Sequence, residues 1–348
     1  MKILLPFYDD STLLFAAKMK EQLSLAGSSC STYYMAHTRD AADISERQMK
    51  INLEKGPDIL ADERVISADS IADYDAVVVC KVTKELRALV NERRYMAGNN
   101  RPCFIAFQPG LEFTPEKGIH NRRNFDVLFL NNQQDVDSYG TNIGGSRRKQ
   151  VAWGHPYFMK PTSLLDDAGG DVYFFAQAIS PKSYNGRLHM AEVLKAIALA
   201  NPERKMVVKL RHLPTENTVH VHKEEYNYPE LFGDLWDVPD NIEFSACSMK
   251  EALSKASIAI TCTSTAAMDA ISAGVPTIVY VDYVENYKDR LAKQMRRIFC
   301  ESGLVLPLKS VLHLDYQKPR KTWLDGHFRD ETIFKDLIQA ITEFQKTN

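Results

Sequence analysis

The chain has 348 residues, 45% hydrophobic and 25% charged, an average soluble composition that excludes wholesale disorder and, at roughly 150 residues per domain, predicts about two domains. Lys and Arg total 43 against 45 Asp and Glu, a formal charge of -2, so no global field points to nucleic acid as a partner and any charge argument is local. The six cysteines (Cys30, Cys80, Cys103, Cys247, Cys262 and Cys300) form neither a CxxC pair nor a Cys/His zinc spacing, which predicts reduced thiols.

Strands alternate with helices along the chain, the pattern of parallel α/β architecture. Lys2–Tyr8 reads as the first strand; Asp9 and Asp10 end its apolar run far too early for a signal-peptide core or a membrane span. Thr12–Leu25 reads as an amphipathic helix, Ser31–Met35 and Asp75–Cys80 as strands, and Lys84–Met96 as a helix with Leu86, Leu89, Val90 and Tyr95 at roughly helical spacing. Strands at Pro102–Phe107 and Asp126–Leu130 follow. The polar stretch Asn131–Lys149, with Gly140, Gly144 and Gly145, reads as a loop, and Val151–Trp153 as a last short strand. Lys160–Gly170 has the Pro, Ser, Asp and Gly content of a linker.

A second series then begins: strand Asp171–Ala176, helix Arg187–Ala200, strand Lys205–Leu210, strand Asn241–Phe244, helix Met249–Lys255, strand Ile258–Thr261, helix Ala266–Ala273 and strand Thr277–Val281. An amphipathic helix at Thr332–Gln345 closes the chain. The expected architecture is two Rossmann-like domains facing across a cleft, residues 1–160 and 161–330, with the helix in 331–348 packing back on the first.

Three segments carry chemistry. In Thr261 to Pro276 a buried strand stops at a hydroxyl-rich turn, a helix starts, and Gly274 with Pro276 ends it. The hydroxyls of Thr263, Ser264 and Thr265, with the free N–H groups of the helix's first turn, suit a phosphate. Asp269, one turn further in, suits ribose hydroxyls. The alternative reading is that these hydroxyls only cap the helix. In the second segment, Lys209, Arg211 and His212 end a buried strand at a carboxyl edge, where open α/β sheets bind ligands, and suit a diphosphate or a sugar carboxylate. In the third, Asp9 and Asp10 follow the first strand; a carboxylate there suits a general base, and Asp10 equally fits the N-cap of the next helix. Weaker features are the Asp135-Val-Asp137 pattern, read as a solvated turn, the basic runs Arg93-Arg94, Arg122-Arg123 and Arg147-Arg148-Lys149, which suit an anionic acceptor or lipid headgroups, and the His220/His222 pair, which lacks a third ligand and predicts no metal site.

Taken in order, Asp10-Ser11, Gly118-Ile-His-Asn-Arg-Arg123, Phe175-Ala-Gln177, Lys209-Leu-Arg211 with Glu216, and Thr263-Ser-Thr265 resemble the GT-B superfamily of nucleotide-sugar glycosyltransferases, and more closely a bacterial group of glycosyltransferases. The donor side is also similar to bacterial sialyltransferases, whose HP and Ser/Ser-Thr motifs bind a CMP donor. Here His212-Leu-Pro214 carries an extra Leu, and the intact His155-Pro156 pair falls at the domain boundary. Teichoic-acid glycerol-phosphate polymerases and UDP-sugar 2-epimerases share a similar turn, with an acidic residue at the position of Asp269 on ribose.

The resemblance implies an inverting, metal-independent transferase that builds a bacterial surface glycan such as capsule or lipopolysaccharide. Asp10 would be the base, with His120 as the alternative. Gln177, Lys209, Arg211, His212, Thr263, Ser264, Thr265 and Asp269 would bind the donor, and Ser11, Arg122 and Arg123 the acceptor. It implies no cofactor beyond a CMP- or UDP-linked sugar as co-substrate, with a sialic-acid-like or Kdo-like sugar on the CMP branch. The expected partners are that donor and a glycan or glycolipid acceptor, for a cytoplasmic protein in peripheral contact with the inner membrane surface. A CDP-activated phosphoglycerol-type transferase and a UDP-sugar 2-epimerase are the alternatives of the same fold. A two-domain solute-binding protein is disfavoured by the absence of an export signal.

Overall fold

The computed structural model describes residues 1–35, 44–61, 66–95, 101–109, 115–143, 150–219, 223–287, 289, 295, 296 and 298–347. The His220/His222 pair and the basic run 147–149 lie outside them. The chain divides into two compact units, the first built from Met1–Met159, Val219–Val221 and Gly326–Asn348, the second from Lys160–Thr218 and His222–Asp325.

In the first unit the elements run β1 (Lys2–Phe7), α1 (Asp10–Leu25), β2 (Ser29–Met35), α2 (Glu46–Asn52), β3 (Ile59–Ala61), α3 (Ala68–Ile71), β4 (Ala76–Val79), α4 (Lys84–Tyr95), β5 (Cys103–Phe107), α5 (Pro115–Arg122), β6 (Val127–Leu130), α6 (Gln133–Ile143) and β7 (Gln150–Trp153). The strands form one sheet in the order β3-β2-β1-β4-β5-β6-β7, with every pairing parallel. A parallel strand is covered on both faces, so its residues are apolar in unbroken runs. Ile3, Leu5 and Phe7 bury one face against Leu13, Phe15 and Met19 of α1. Leu4, Val77 and Val79 bury the other against Leu86, Leu89 and Val90 of α4 and Ile119 of α5.

Two expectations are corrected here. The stretch read as a loop from Asn131 holds α6: Asn132 accepts the Asp135 N–H at 2.7 Å and returns its own amide to the Asp135 carboxylate at 3.2 Å. Its polarity is that of a capped, solvated helix, and Val136 supplies the packed side. The Asp135/Asp137 pair is spent on that helix, since Asp137 accepts from Gln133 Nε2 at 2.7 Å. The short elements α2, β3 and α3 were not predicted.

The second unit runs β8 (Val172–Phe175), α7 (Tyr184–Ala200), β9 (Met206–Lys209), a 3₁₀ turn (Pro214–Val219), α8 (Tyr228–Gly233), β10 (Ile242–Ser245), α9 (Met249–Lys255), β11 (Ile258–Thr261), α10 (Ala266–Ser272), β12 (Thr277–Val279), α11 (Val284–Tyr287), α12 (Leu308–Leu312) and α13 (Lys321–His327, whose last two residues belong to the first unit). Its sheet order is β10-β9-β8-β11-β12, again parallel throughout. The last helix, α14 (Thr332–Thr347), belongs to the first unit and buries Ile333, Phe334, Leu337 and Ile341 in the core that holds Leu5, Phe7 and Phe15. Among the described residues no helix is long and apolar enough to cross a membrane.

Helix α10 ends as its sequence predicts. Gly274 adopts φ +79, its N–H donates to Ile271 O at 2.9 Å, and the Val275 N–H reaches Ala270 O at 2.9 Å, a left-handed glycine cap. A Cβ at Gly274 would lie 2.4 Å from the Ser163 carbonyl oxygen, a backbone atom. Gly274→Ala is therefore expected to destabilise the chain by more than about 1 kcal/mol, read as a lower denaturation midpoint; an unchanged midpoint would show that the 163 backbone yields freely.

Candidate active site

Register places the donor-side residues. Phe175 pairs with Lys209 on one side and with Thr261 on the other, so two residues beyond that row stand Gln177, Arg211 and Thr263, all at the carboxyl edge. After β8 the chain first builds outward through β9 and β10, then crosses to β11 and β12. The topological switch point therefore lies between β8 and β11, where such sheets open a crevice for ligands. Gln177 and Thr263 flank it and are joined: the Thr263 N–H donates to Gln177 Oε1 at 3.2 Å, and the Thr263 hydroxyl donates to the same oxygen.

The three hydroxyls of this turn divide their work. Thr263 is buried and committed to Gln177. Ser264 accepts from the Ala266 N–H at 3.1 Å. Thr265 occupies the N-cap position without making a side-chain cap bond, so the helix-cap reading holds for Ser264 and fails for Thr265. Asp269 is half-buried in the first turn of α10. Cys262, beside them, is no nucleophile at neutral pH, since burial pushes its thiol up to about 12.

Of the three cations expected at the end of β9, only Arg211 is partly exposed. Lys209 is buried and donates to the Leu210 carbonyl at 3.0 Å. His212 is fully enclosed, with Nδ1 3.1 Å from the Leu213 carbonyl oxygen, a contact in which Nδ1 is the donor. Glu216 accepts from the Leu213 N–H at 3.0 Å and holds the same loop.

Sequence reasoning missed Arg187 and Glu224. Arg187 is fully buried; its Nη1 donates to Glu224 Oε1 at 2.7 Å and its Nη2 to the carbonyls of Gln177 and Ala178. The signal was present in the periodicity: Met190, Ala191 and Leu194, three, four and seven positions on, are all buried, so Arg187 lies on the core stripe of α7. Burial raises the Glu224 carboxyl, and Arg187 and then Arg211 oppose that shift.

In the first unit the acidic pair after β1 is split. Asp9, rather than Asp10, is the N-cap of α1: it accepts from the Thr12 N–H at 2.8 Å, its own N–H donates to Thr12 Oγ1 at 3.0 Å, and Lys81 Nζ pairs with its other oxygen at 2.6 Å. Asp10 is the first helical residue, mostly buried, and accepts from the Ser11 N–H at 3.0 Å, while Ser11 is exposed. Arg122 is buried and donates to the Cys80 carbonyl at 2.9 Å, bracing the end of β4. His120 and Arg123 are exposed and line a polar cavity of about 310 Å³ with Arg87, Asn91, Asn121 and Asn124. Helices α1 and α5 pack on opposite faces of the sheet. The His155-Pro156 pair also belongs to this unit. His155 is walled by Phe15, Phe107, Tyr157 and Phe158, and burial pushes its imidazole down to about 3, so it is neutral and packed rather than ligand-facing.

Two Rossmann-like units, each an all-parallel sheet with polar loops at its carboxyl edge, define a GT-B-like α/β fold. The chain belongs to the family described as "Putative glycosyltransferase (DUF6716)", which matches residues 8–344. No curated protein sequence matches the chain. Among solved structures it is similar to a "putative UDP-N-acetylglucosamine 2-epimerase" from Listeria monocytogenes, with 13% identity, TM-score 0.62, and 100% of this chain and 97% of that one covered. It is also similar to the Methanocaldococcus jannaschii UDP-GlcNAc 2-epimerase in complex with UDP-GlcNAc and UDP, with 12% identity, TM-score 0.61, and 99% and 100% covered. At such identity these likenesses establish the fold.

Proposed function

We propose that the chain transfers a sugar from a nucleotide-sugar donor to a hydroxyl of a glycan or glycolipid acceptor, with inversion and without a metal ion. The observation that carries this reading, beside family membership, is the register row at the switch point of the second sheet. It sets an amide, a guanidinium and a hydroxyl turn at one carboxyl edge. In this reading Arg211, Ser264, Thr265 and the N–H groups around them stabilise charge on the leaving phosphate. Gln177 and Thr263 shape the turn that receives it, Lys209 and His212 hold the neighbouring loop from beneath, and Asp269 takes the ribose. In the first unit Asp10 accepts the proton of the acceptor hydroxyl, Ser11 orients that hydroxyl, and Arg123 with His120 meets an anionic part of the acceptor. Arg122 supports this side through β4.

The test is a thermal-shift panel of CMP, CDP, UDP, GDP and their sugars, because a ligand that binds the native state raises its stability by mass action. Stabilisation by at least one nucleotide is expected, and stabilisation by none would sink the donor assignment. CMP alone would favour a sialic-acid-like or Kdo-like sugar, whereas UDP would replace that branch with a UDP-linked donor. Product analysis then separates the rivals of the same fold. Phosphorus entering the acceptor marks a phosphoglycerol-type transferase, and an isomeric nucleotide sugar formed without acceptor marks an epimerase.

A further inference from the structure

Arg187 stands in the first turn of α7, four residues past the Ser183 cap, where the helix dipole disfavours a cation. A guanidinium placed there and fully buried is not explained by stability, because a buried ion pair loses in desolvation about what it gains in attraction and stabilises little relative to a packed apolar pair. What the geometry does explain is the turn after β8. The Gln177 and Ala178 carbonyls both accept from Arg187 Nη2; Nη1 is anchored on Glu224, and the Tyr228 ring lies 4.9 Å from the guanidinium. A planar fork holding two successive carbonyls fixes backbone direction as a single ammonium does not. Gln177, so fixed, receives both donors of Thr263. On its other side the Glu224 carboxylate also feels the charge of Arg211.

Resting on the donor-site reading above, we propose that Arg187 and Glu224 are positioning residues of the donor site: the buried pair fixes the Gln177 turn and, through it, the Thr263 turn. Neither residue touches the nucleotide in this assignment.

The test uses the full chain carrying R187M and E224M together, which removes both charges and keeps apolar volume, with R187K and E224Q as the second set should the double variant not fold. UDP, CDP, CMP and GDP are titrated calorimetrically into wild type and variants, and amide hydrogen exchange is followed residue by residue. The expected result is a variant melting within a few degrees of wild type that binds the wild type's preferred nucleotide at least about fivefold more weakly, the scale of one lost hydrogen bond. Exchange should quicken at 176–180 and 262–266 and not elsewhere, whereas a purely structural role would quicken exchange throughout the second unit. Binding weakened by less than about fivefold in a folded variant overturns the proposal. If wild type binds none of the four nucleotides, the donor reading fails on its own account and exchange alone decides the positioning role: quickened turns support it, unchanged turns reject it.

Discussion

Asp10→Asn is expected to lower kcat for glycosyl transfer by about 10²-fold or more while donor affinity stays within about twofold, because loss of a positioned general base costs 10²–10⁴-fold in the chemical step and nothing in donor binding. The side chains differ by one atom, so the helix start survives: the cap bonds of α1 run through Asp9 and Thr12, not through Asp10. The neighbouring substitution separates structure from chemistry. Asp9→Asn breaks the ion pair with Lys81 and is expected to appear chiefly in the denaturation midpoint. Turnover is measured with the nucleotide sugar chosen by the thermal-shift panel. A rate for Asp10→Asn within about threefold of wild type would remove Asp10 from the mechanism, leaving His120, on the opposite face of the sheet, as the candidate to examine next.

The second large effect is on stability. Arg187→Met alone leaves the Glu224 carboxylate buried without its main partner, and breaking a buried pair from one side costs about 3–5 kcal/mol, which for a unit of this size lowers Tm on the order of 10 °C. The pH dependence carries a definite sign. Burial already raises the Glu224 carboxyl in the folded chain, and Arg187 is the largest opposing influence, so removing it raises that carboxyl further. A carboxyl raised on folding contributes its full share of stability below its unfolded pKa and loses it as pH rises through the folded value. The deficit of Arg187→Met relative to wild type is therefore expected to shrink as pH falls from neutrality into the carboxylate range. In Arg187→Met with Glu224→Met the part of the pH dependence that comes from the Glu224 carboxyl should be absent. Thermal melts of the three chains across pH check this, and a deficit independent of pH would show that the lost contacts are packing ones.

The parallel α/β character was legible because strands covered on both faces must be apolar in unbroken runs: Lys2–Phe7, Cys103–Phe107 and Ile258–Thr261 announce themselves. The register row was within reach too, since strand ends predicted at Ala176, Leu210 and Thr261 fall within a residue of those found and put Gln177, Arg211 and Thr263 nearly level. What escaped the sequence was partnership. Nothing in the composition of Asp9-Asp10 says which carboxylate caps the helix; that depends on Thr12 lying three residues on and on Lys81, 72 residues away, meeting the other oxygen. Arg122 looked like one half of a surface doublet until its guanidinium was seen on the Cys80 carbonyl, while Arg123 beside it stays exposed. Arg187 was hidden by the habit of reading arginine as surface, although its neighbours on the helical stripe marked it as interior. The α6 segment was misread because a capped polar helix and a polar loop share a composition and differ only in local hydrogen bonds.

The return of α14 to the first unit has a consequence for the order in which the chain can complete itself. The segment that leaves the first unit at Met159 returns to it for good at Gly326, and a bridge between Met159 and Arg329 closes the excursion. During synthesis, where domains generally fold as units from the N-terminal end, all five strands of the second sheet have emerged before Ile333 and Leu337 exist to cover Leu5 and Phe7. The part of the protein made first is thus the last to be finished, and the residues proposed to hold the donor acquire their framework while the strand leading to Asp10 still waits for its covering helix.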